Sequence, residues 1–149
     1  MATGSLVVYP TDFSEHSTVA LPWVRRMAGE LGADIRCVHV VEEPQIYASL
    51  DMGPIAVPSV RELVRAAEIR LDEFIKKNLQ AFGKAPRASV LVGRPAAEIV
   101  SDAREHGADL IVMATHGHGG VRHLLLGSTT EAVLRQATCP VLSIRVTPG

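Results

Sequence analysis

The sequence has few cysteines and no excess of either charge. Its two cysteines, Cys37 and Cys139, are far apart and form no CxxC pair, which excludes a disulfide framework and a cysteine-based zinc site. We therefore expect two buried, reduced thiols, as in a cytoplasmic protein. Lysine and arginine together number 15, and aspartate and glutamate 16. This balance is untypical of a dedicated nucleic-acid binder, which usually carries a basic stripe.

Long apolar runs are missing as well. No segment approaches the ~18–20 residues that a membrane-spanning helix needs. The opening stretch MATGSLVVYPTD has no basic region, and its apolar run is too short for a signal peptide. Hydrophobic residues still make up 47% of the 149 residues. The sequence therefore predicts one domain, residues 1–149, with an ordinary buried core in a soluble cytoplasmic protein.

The motifs of several enzyme classes are absent. There is no GxSxG, no HExxH and no GxxxxGK followed by Ser or Thr, and GHGGVR has Arg122 where GxGxxG needs its third glycine. No cysteine lies beside a suitable histidine, and no carboxylates form an obvious catalytic pair. Glu98, Asp102 and Glu105 follow helical spacing, which predicts a solvated helix face. The sequence thus predicts no catalytic residue.

Short runs of β-branched residues alternate with helical patterns. The spacing predicts strands at 5–10, 34–41, 88–93, 109–115 and 140–146, and helices at 14–32, 60–82, 95–107 and 128–137. Pro22 lies inside the first helical pattern and is expected to kink it. The near-continuously apolar strands predict an α/β, Rossmann-like fold: an open, doubly wound, five-stranded parallel sheet of order 3-2-1-4-5 with helices on both faces. Ligands of such sheets bind where the winding reverses, here beyond the carboxyl ends of strands one and four.

The connection after the fourth strand, MATHGHGGVRHLLLGSTT (Met113–Thr130), is rich in glycine and has no lysine. Glycines let backbone N–H groups come close to an anion. Gly127 and Ser128 open a helix whose N terminus carries roughly half a positive charge, so the loop suits a phosphate. Two other interpretations remain open. The glycines form only a turn, or Ser128 and Glu131 form a capping box that satisfies the helix without a ligand.

Histidines and one aspartate are further candidates. His116, His118 and His123 could contribute to a metal site, but no carboxylate or cysteine shares the loop at ligand spacing, so this interpretation is the weaker one. His39, inside an apolar strand, is expected to be a core histidine with its hydrogen bonds satisfied. Either Asp12 or Ser14 caps the first helix. The functional interpretation of Asp12 is an acceptor for ribose hydroxyls or a partner of a phosphate-bound magnesium ion.

Three stretches together resemble the universal stress protein family: VVYPTDFSEHS, VHVVEE and IVMATHGHGGVRHLLLGSTTEAVLRQATCPVLSIR. The resemblance spans Leu6–Arg145, nearly the whole chain. Its most specific part is the ATP-binding loop of that family, a G-x2-G-x9-G pattern followed by Ser or Thr. Gly117, Gly127 and Ser128 match this pattern, whereas Ala114 occupies the first glycine position and adds a methyl group.

The resemblance implies a small ATP-binding regulatory module of the stress response, with ATP or AMP as ligand and Mg2+ accompanying the nucleotide. It implies that the glycine loop holds the phosphates, that Asp12 approaches the ribose, and that the backbone of Val40 contacts adenine. The implied nucleotide-binding residues are Pro10, Thr11, Asp12, Val40, Met113, Ala114, Thr115, His116, Gly117, His118, Gly127, Ser128 and Thr129. Family members that bind no nucleotide usually lose the glycine loop, which this chain keeps.

Two further expectations concern the C-terminal strand and a long connection. The strand VLSIRV would lie at the sheet edge with unpaired backbone groups. The resemblance implies a homodimer through this region, by antiparallel pairing of two such strands. The segment 42–59 is interpreted as a lid over the base, a dimer contact or a disordered crossover, with the lid favoured. Neither a nucleic acid nor a membrane is predicted as a partner.

Three functions are compatible with these features. The leading hypothesis is a regulatory module that binds the nucleotide rather than turning it over rapidly. The second is an enzyme, a slow Mg-dependent ATPase, since fast phosphoryl transfer recruits cationic clamps and a water-positioning group. The loop offers only Arg122 and its histidines for those tasks. The third is a homodimeric stress-protein scaffold whose loop binds no nucleotide.

Overall fold

A computed structural model describes residues 4–43, 58–80, 84–116 and 126–146. The strands are β1 (Leu6–Pro10), β2 (Asp34–Val41), β3 (Arg87–Val92), β4 (Leu110–Ala114) and β5 (Val141–Ile144). The helices are α1 (Glu15–Thr18), α2 (Leu21–Leu31), α3 (Val60–Asn78), α4 (Pro95–Glu105) and α5 (Ser128–Gln136). The five strands form one parallel sheet of order β3-β2-β1-β4-β5. The predicted fold and strand order are confirmed, and the winding reverses between β1 and β4.

Apolar side chains form a separate core on each face of the sheet. β1 and β4 are buried at every position, and since successive side chains of a strand point to opposite faces, each strand serves both cores. On one face Val7 and Tyr9 pack with α2 and α3, and on the other Val8 and Ile111 pack with α4 and α5. This burial on both faces explains the continuous apolar runs that predicted a parallel sheet.

The first helical pattern is interrupted, and the prediction of a kink at Pro22 is wrong. The pattern divides into α1 and α2, and Pro22 lies in the first turn of α2. Proline is tolerated there because the N–H that it lacks would have no intrahelical partner. Gly32 follows α2 in the left-handed conformation, with φ 58°, and ends the helix as predicted.

The other elements agree with the sequence patterns, with small differences at their ends. Ser59 caps α3 by accepting from the Glu62 N–H at 3.2 Å, and the C-cap is Leu79, so α3 ends before residue 82.

Most of the segment interpreted as a lid, 44–57, lies outside the described residues. None of the described helices combines the length and apolar character needed to cross a membrane.

Asp102 corrects the prediction of a solvated acidic face on α4. Its side chain is only 4% exposed, and its carboxylate forms a bidentate ion pair with Arg36 of β2, at 2.7 and 2.8 Å. His106 Nδ1 lies 3.4 Å from the same carboxylate. The helical spacing placed Asp102 correctly on α4. The sequence pattern did not indicate that a cation from β2 lies beneath the helix at this point.

Candidate site at the carboxyl ends of β1 and β4

The carboxyl ends of β1 and β4 lie side by side at the point where the winding reverses. Because β1 pairs with both β2 and β4, the turn after β1 and the segment after β4 lie at the same edge of the sheet. The start of α5 is tied to this edge as well, since the Gly127 N–H donates to the Thr115 carbonyl at 2.6 Å. The structure therefore brings together the two segments that the sequence analysis singled out.

Hydroxyl groups fix the turn that follows β1. Pro10 ends the strand and is buried. Thr11 is also buried; its N–H donates to the Val38 carbonyl at 2.9 Å, and its hydroxyl lies 2.9 Å from that of Ser17. Tyr9 donates its phenol to the Ser17 carbonyl at 2.8 Å, and burial raises the pKa of that phenol. These side chains form an internal network that holds the turn in place.

Asp12 lies in the same turn and contacts the residue that caps α1. Its Oδ1 accepts from the Ser14 N–H at 3.0 Å and from the Ser14 hydroxyl at 2.5 Å. The N-cap itself is Ser14, whose hydroxyl accepts from the Ser17 N–H at 3.2 Å. Asp12 is therefore not the cap of the first helix, and its contact with a ribose stays a prediction.

The backbone of Val40 faces the gap beyond the end of β1. The Gly93 N–H donates to the Val41 carbonyl, so the backbone of Val41 pairs on the β3 side, and strand alternation turns the N–H and carbonyl of Val40 to the β1 side. β1 ends at Pro10. Within the described part of the chain, no backbone hydrogen bond joins Val40 to the turn after β1. A group in this gap would meet one backbone donor and one backbone acceptor.

At the end of β4, side chains contribute to the interior rather than to the gap. Met113 packs in the core beneath α4 and α5. Ala114 is buried, and its carbonyl accepts from the hydroxyl of Thr130, a buried residue of α5, at 2.8 Å. The methyl group of Ala114 therefore lies in a closely packed part of the structure.

Thr115 joins β4, β5 and α5. Its N–H donates to the Ile144 carbonyl at 2.8 Å, and its hydroxyl accepts from the Val146 N–H at 3.2 Å. Its carbonyl accepts from the Gly127 N–H at 2.6 Å. His116 Nδ1 lies 3.1 Å from the Thr115 hydroxyl oxygen. All polar groups of Thr115 are thus engaged by neighbouring protein groups.

The start of α5 has no side-chain cap, so the capping-box prediction is wrong. The N-cap is Gly127, with extended φ −69° and ψ 159°, and no side chain caps the helix. Ser128 is the first helical residue, and Glu131 pairs with Arg135 at 2.8 Å instead of reaching back. The first intrahelical bond runs from the Glu131 N–H to the Gly127 carbonyl at 2.9 Å.

It follows that the N–H groups of Ser128, Thr129 and Thr130 have no intrahelical acceptor. The close approach of two backbones explains why glycine precedes them. A Cβ atom at position 127 would lie 3.1 Å from the Thr115 carbonyl oxygen, tighter than ordinary van der Waals contact. The three amides and the positive end of the helix dipole therefore lie next to the ends of β1 and β4.

The histidines have different environments. His39 Nδ1 donates to the Thr11 carbonyl at 2.8 Å, so the predicted hydrogen bond is present, but the residue is only partly buried and the prediction of a core position is wrong. Among the residues that the structure describes, no three His, Cys, Asp or Glu side chains cluster in a way that could hold a metal ion. Gly117, His118 and His123 lie outside the described residues.

Two residues that shape the site were not predicted from the sequence. Thr130 anchors the start of α5 to β4, and only its position two residues after Ser128 distinguishes it in the sequence. Phe13 has a positive φ of 67°, which is rare for a bulky residue. No residue type in the sequence signals that conformation.

The strand order, with the winding reversed between β1 and β4, defines this chain as a Rossmann-like α/β protein. The model of the universal stress protein family matches residues 6–145. The chain therefore belongs to the universal stress protein family.

Individual relatives agree with this assignment. The chain is 33% identical to the universal stress protein MJ0577 of Methanocaldococcus jannaschii over 151 residues, which cover 93% of each chain. The solved structure of MJ0577 matches with a TM-score of 0.79 and 29% identity over 97% of this chain and 98% of that one. A universal stress protein solved with cAMP shares the fold, with a TM-score of 0.69 and 22% identity over 98% of this chain and 100% of that one. One from Archaeoglobus fulgidus solved with dAMP shares it too, with a TM-score of 0.59 and 22% identity over 97% and 99% of the two chains.

Proposed function

We propose that this protein is a regulatory module that binds an adenine nucleotide, ATP or AMP, together with Mg2+, at the carboxyl ends of β1 and β4. The observation that carries the proposal is the uncapped start of α5, which the Thr115 carbonyl holds against the end of β4 through the Gly127 N–H at 2.6 Å. Binding, rather than turnover, is the expected chemistry. A cytoplasmic location and a role in stress responses are part of the same proposal.

The phosphates are assigned to the start of α5. The amides of Ser128 and Thr129 have no intrahelical acceptor, and a phosphate placed there would satisfy them while it interacts with the helix dipole. The glycine loop of this family precedes them in sequence, and Gly117 matches its second glycine. No lysine is required, since backbone amides form the anion site.

The base is assigned to the gap beside Val40. Adenine presents a donor and an acceptor on one edge, and the N–H and carbonyl of Val40 offer the complementary pair. Asp12, in the turn after β1, is assigned to the ribose hydroxyls. The resemblance to the universal stress protein family implies both assignments, and the outward backbone of Val40 supports the one for the base. The cAMP and dAMP complexes are consistent with adenine nucleotides as the ligand class in proteins of this fold.

A thermal-shift series tests nucleotide binding. Mg-ATP or Mg-AMP at ~100 times its dissociation constant should stabilise the protein by about 2.7 kcal/mol. The Gly127→Glu variant should lose the shift, because its side chain adds a negative charge and its Cβ approaches the Thr115 carbonyl oxygen. Gly29→Glu is the matched control, since a Cβ there meets nothing within 4 Å.

The results also separate the other two hypotheses. No shift with the wild-type protein at millimolar ATP would contradict nucleotide binding and favour the scaffold. Phosphate release well above that of Gly127→Glu would favour a slow ATPase.

A homodimer through β5 is the second part of the proposal. Among the described residues β5 pairs with β4 alone, and its four residues are all partly exposed. Leu142 and Ile144 direct their backbone N–H and carbonyl groups to β4, as the bond from the Thr115 N–H to the Ile144 carbonyl indicates. Because these directions alternate along a strand, the backbone groups of Val141 and Ser143 point outward. Such an edge favours pairing with a second copy.

Sedimentation velocity at micromolar concentration tests the homodimer. Ser143→Pro removes an outward N–H without removing a bond to β4, and proline is tolerated at such edge positions. We expect the wild type to sediment as a dimer and Ser143→Pro as a monomer, with Ser143→Thr as the control. A monomeric wild-type protein would contradict this part of the proposal.

A further inference from the structure

His39 and the turn after β1 are linked in a way that bears on the neighbouring residue, Val40. The β1–β2 register pairs Pro10 with Val38, and the Thr11 N–H donates to the Val38 carbonyl at 2.9 Å. If this parallel ladder continued by one step, the next bond would run from the Val40 N–H to the Thr11 carbonyl. That bond is not among the backbone hydrogen bonds of the described residues.

The Thr11 carbonyl instead accepts from His39 Nδ1 at 2.8 Å. The side chain of His39 projects from the face of β2 that also carries Cys37, which packs in the core with α2 and α3. A carbonyl that accepts from this ring is directed out of the ladder, toward that face of the sheet. The ladder therefore ends one bond earlier than the strand register allows.

Aromatic contacts hold His39 and the turn together. The ring of Phe13 stacks on that of His39 with centroids 4.3 Å apart, and Phe74 of α3 meets Phe13 edge-on at 5.9 Å. The Arg70 guanidinium carbon lies 4.6 Å from the centre of the Phe13 ring. Phe13 has the positive φ of 67°, a conformation that persists in a bulky residue only when surrounding contacts enforce it.

We propose that His39 is a positioning residue for adenine recognition. By holding the Thr11 carbonyl away from β2, its ring keeps the Val40 N–H available to a base in the gap beyond β1. The inference rests on the proposed function and deepens it: base recognition depends on a side chain that does not itself face the nucleotide. His39 should therefore govern affinity for the base and leave the phosphate subsite at α5 unaffected.

Two substitutions separate the hydrogen bond from the ring stacking. His39→Phe keeps a flat ring against Phe13 and removes the Nδ1 donor, whereas His39→Asn restores a donor close to the Nδ1 position. His106→Phe is the matched control, because His106 Nδ1 also lies 2.8 Å from a backbone carbonyl oxygen, that of Asp102, at the far end of α4. Calorimetric titrations with Mg-ATP and with Mg-tripolyphosphate give the two affinities.

We expect His39→Phe to weaken ATP binding roughly three- to tenfold, the value of one hydrogen bond to the base, with tripolyphosphate affinity within about twofold. His39→Asn should recover most of the ATP affinity, and His106→Phe should bind like the wild type. Equal ATP affinity of His39→Phe and the wild type would overturn the inference. A parallel loss of tripolyphosphate binding would show a merely structural role and overturn it as well.

Amide hydrogen exchange of the ligand-free protein supplies a test that needs no nucleotide. The Val40 N–H should exchange faster than that of Val38 in the wild type and become protected in His39→Phe, once the Thr11 carbonyl can accept from it. Protection of Val40 in the wild type equal to that of Val38 would refute the geometry directly. Failure of the wild type to bind ATP, with Val40 exposed to exchange, would instead locate the error in the proposed function.

Discussion

Replacement of Ser128 by proline tests whether main-chain amides hold the nucleotide phosphates. Ser128 is the first helical residue of α5, the position where proline is tolerated best because its missing N–H has no intrahelical acceptor. The residue before a proline is restricted to extended conformations, and Gly127 already has φ −69° and ψ 159°. Ser128→Pro therefore removes one amide donor and should leave the helix and its attachment to Thr115 unchanged.

The expected loss follows from the chemistry of the lost bond. A hydrogen bond to a charged group contributes about 1.5–3 kcal/mol, which corresponds to a rise in Kd of roughly 10- to 150-fold. Ser128→Ala keeps the amide and removes only the hydroxyl, so its Kd should lie within about threefold of the wild type, less than 1 kcal/mol. Calorimetric titration with Mg-ATP measures both variants.

Thermal unfolding without ligand is the control for this comparison, and the melting temperature of Ser128→Pro should match that of the wild type or exceed it slightly. If Ser128→Pro is folded and binds Mg-ATP as tightly as Ser128→Ala, the amides of α5 do not hold the phosphates. The nucleotide site would then have to be assigned elsewhere.

Three predictions concern stability. Asp102→Ala should lower the free energy of unfolding by about 3–5 kcal/mol in urea titration, because Arg36 keeps a buried charge without its partner; combining it with Arg36→Met should recover most of the loss. Thr130→Val deprives the Ala114 carbonyl of a buried donor and should lower the free energy of unfolding by about 1–3 kcal/mol in the same assay. A loss below roughly 0.5 kcal/mol, the lower limit for a net hydrogen bond, would argue against that bond. Burial raises the pKa of the Cys37 thiol from 9.0 to about 12. With rising pH, the unfolded chain loses the thiol proton before the folded chain does. The free energy of unfolding should therefore be unaffected by this thiol below pH 9 and fall between pH 9 and pH 12 by roughly 1.4 kcal/mol per pH unit. The slope should be shallower in Cys37→Ala.

The fold could be predicted because its determinants are local or follow from chirality. The strands β1 and β4 are apolar at every position and buried at every position, so a pattern without alternation correctly indicated a sheet covered on both faces. Right-handed crossovers then leave few strand orders for five parallel strands, and the simplest one is the one found. That topology alone predicted that the segments after β1 and β4 lie together where the winding reverses.

The details that sequence analysis missed depend on partners distant in the chain. Asp102 follows the same helical spacing as Glu98 and Glu105, and only the position of Arg36 beneath α4 distinguishes it. Ser128 and Glu131 have capping-box spacing, but the N-cap is the residue with an extended backbone directly before the helix. That residue is Gly127, because its backbone lies against Thr115.

Most of the hydroxyl groups at the point where the winding reverses form hydrogen bonds within the protein. The hydroxyls of Thr11, Ser14, Thr115 and Thr130 are all engaged by other protein groups, and Met113 belongs to the core. The groups proposed to meet a ligand are therefore mainly main chain: the amides that open α5 and the backbone of Val40, with the Asp12 carboxylate at the ribose. Alanine scanning retains those groups, so hydroxyl-to-methyl changes should alter stability more than affinity. Variants that alter the backbone itself, such as Ser128→Pro, should do the reverse, and it is this opposite pattern that distinguishes a main-chain nucleotide site from one built of side chains.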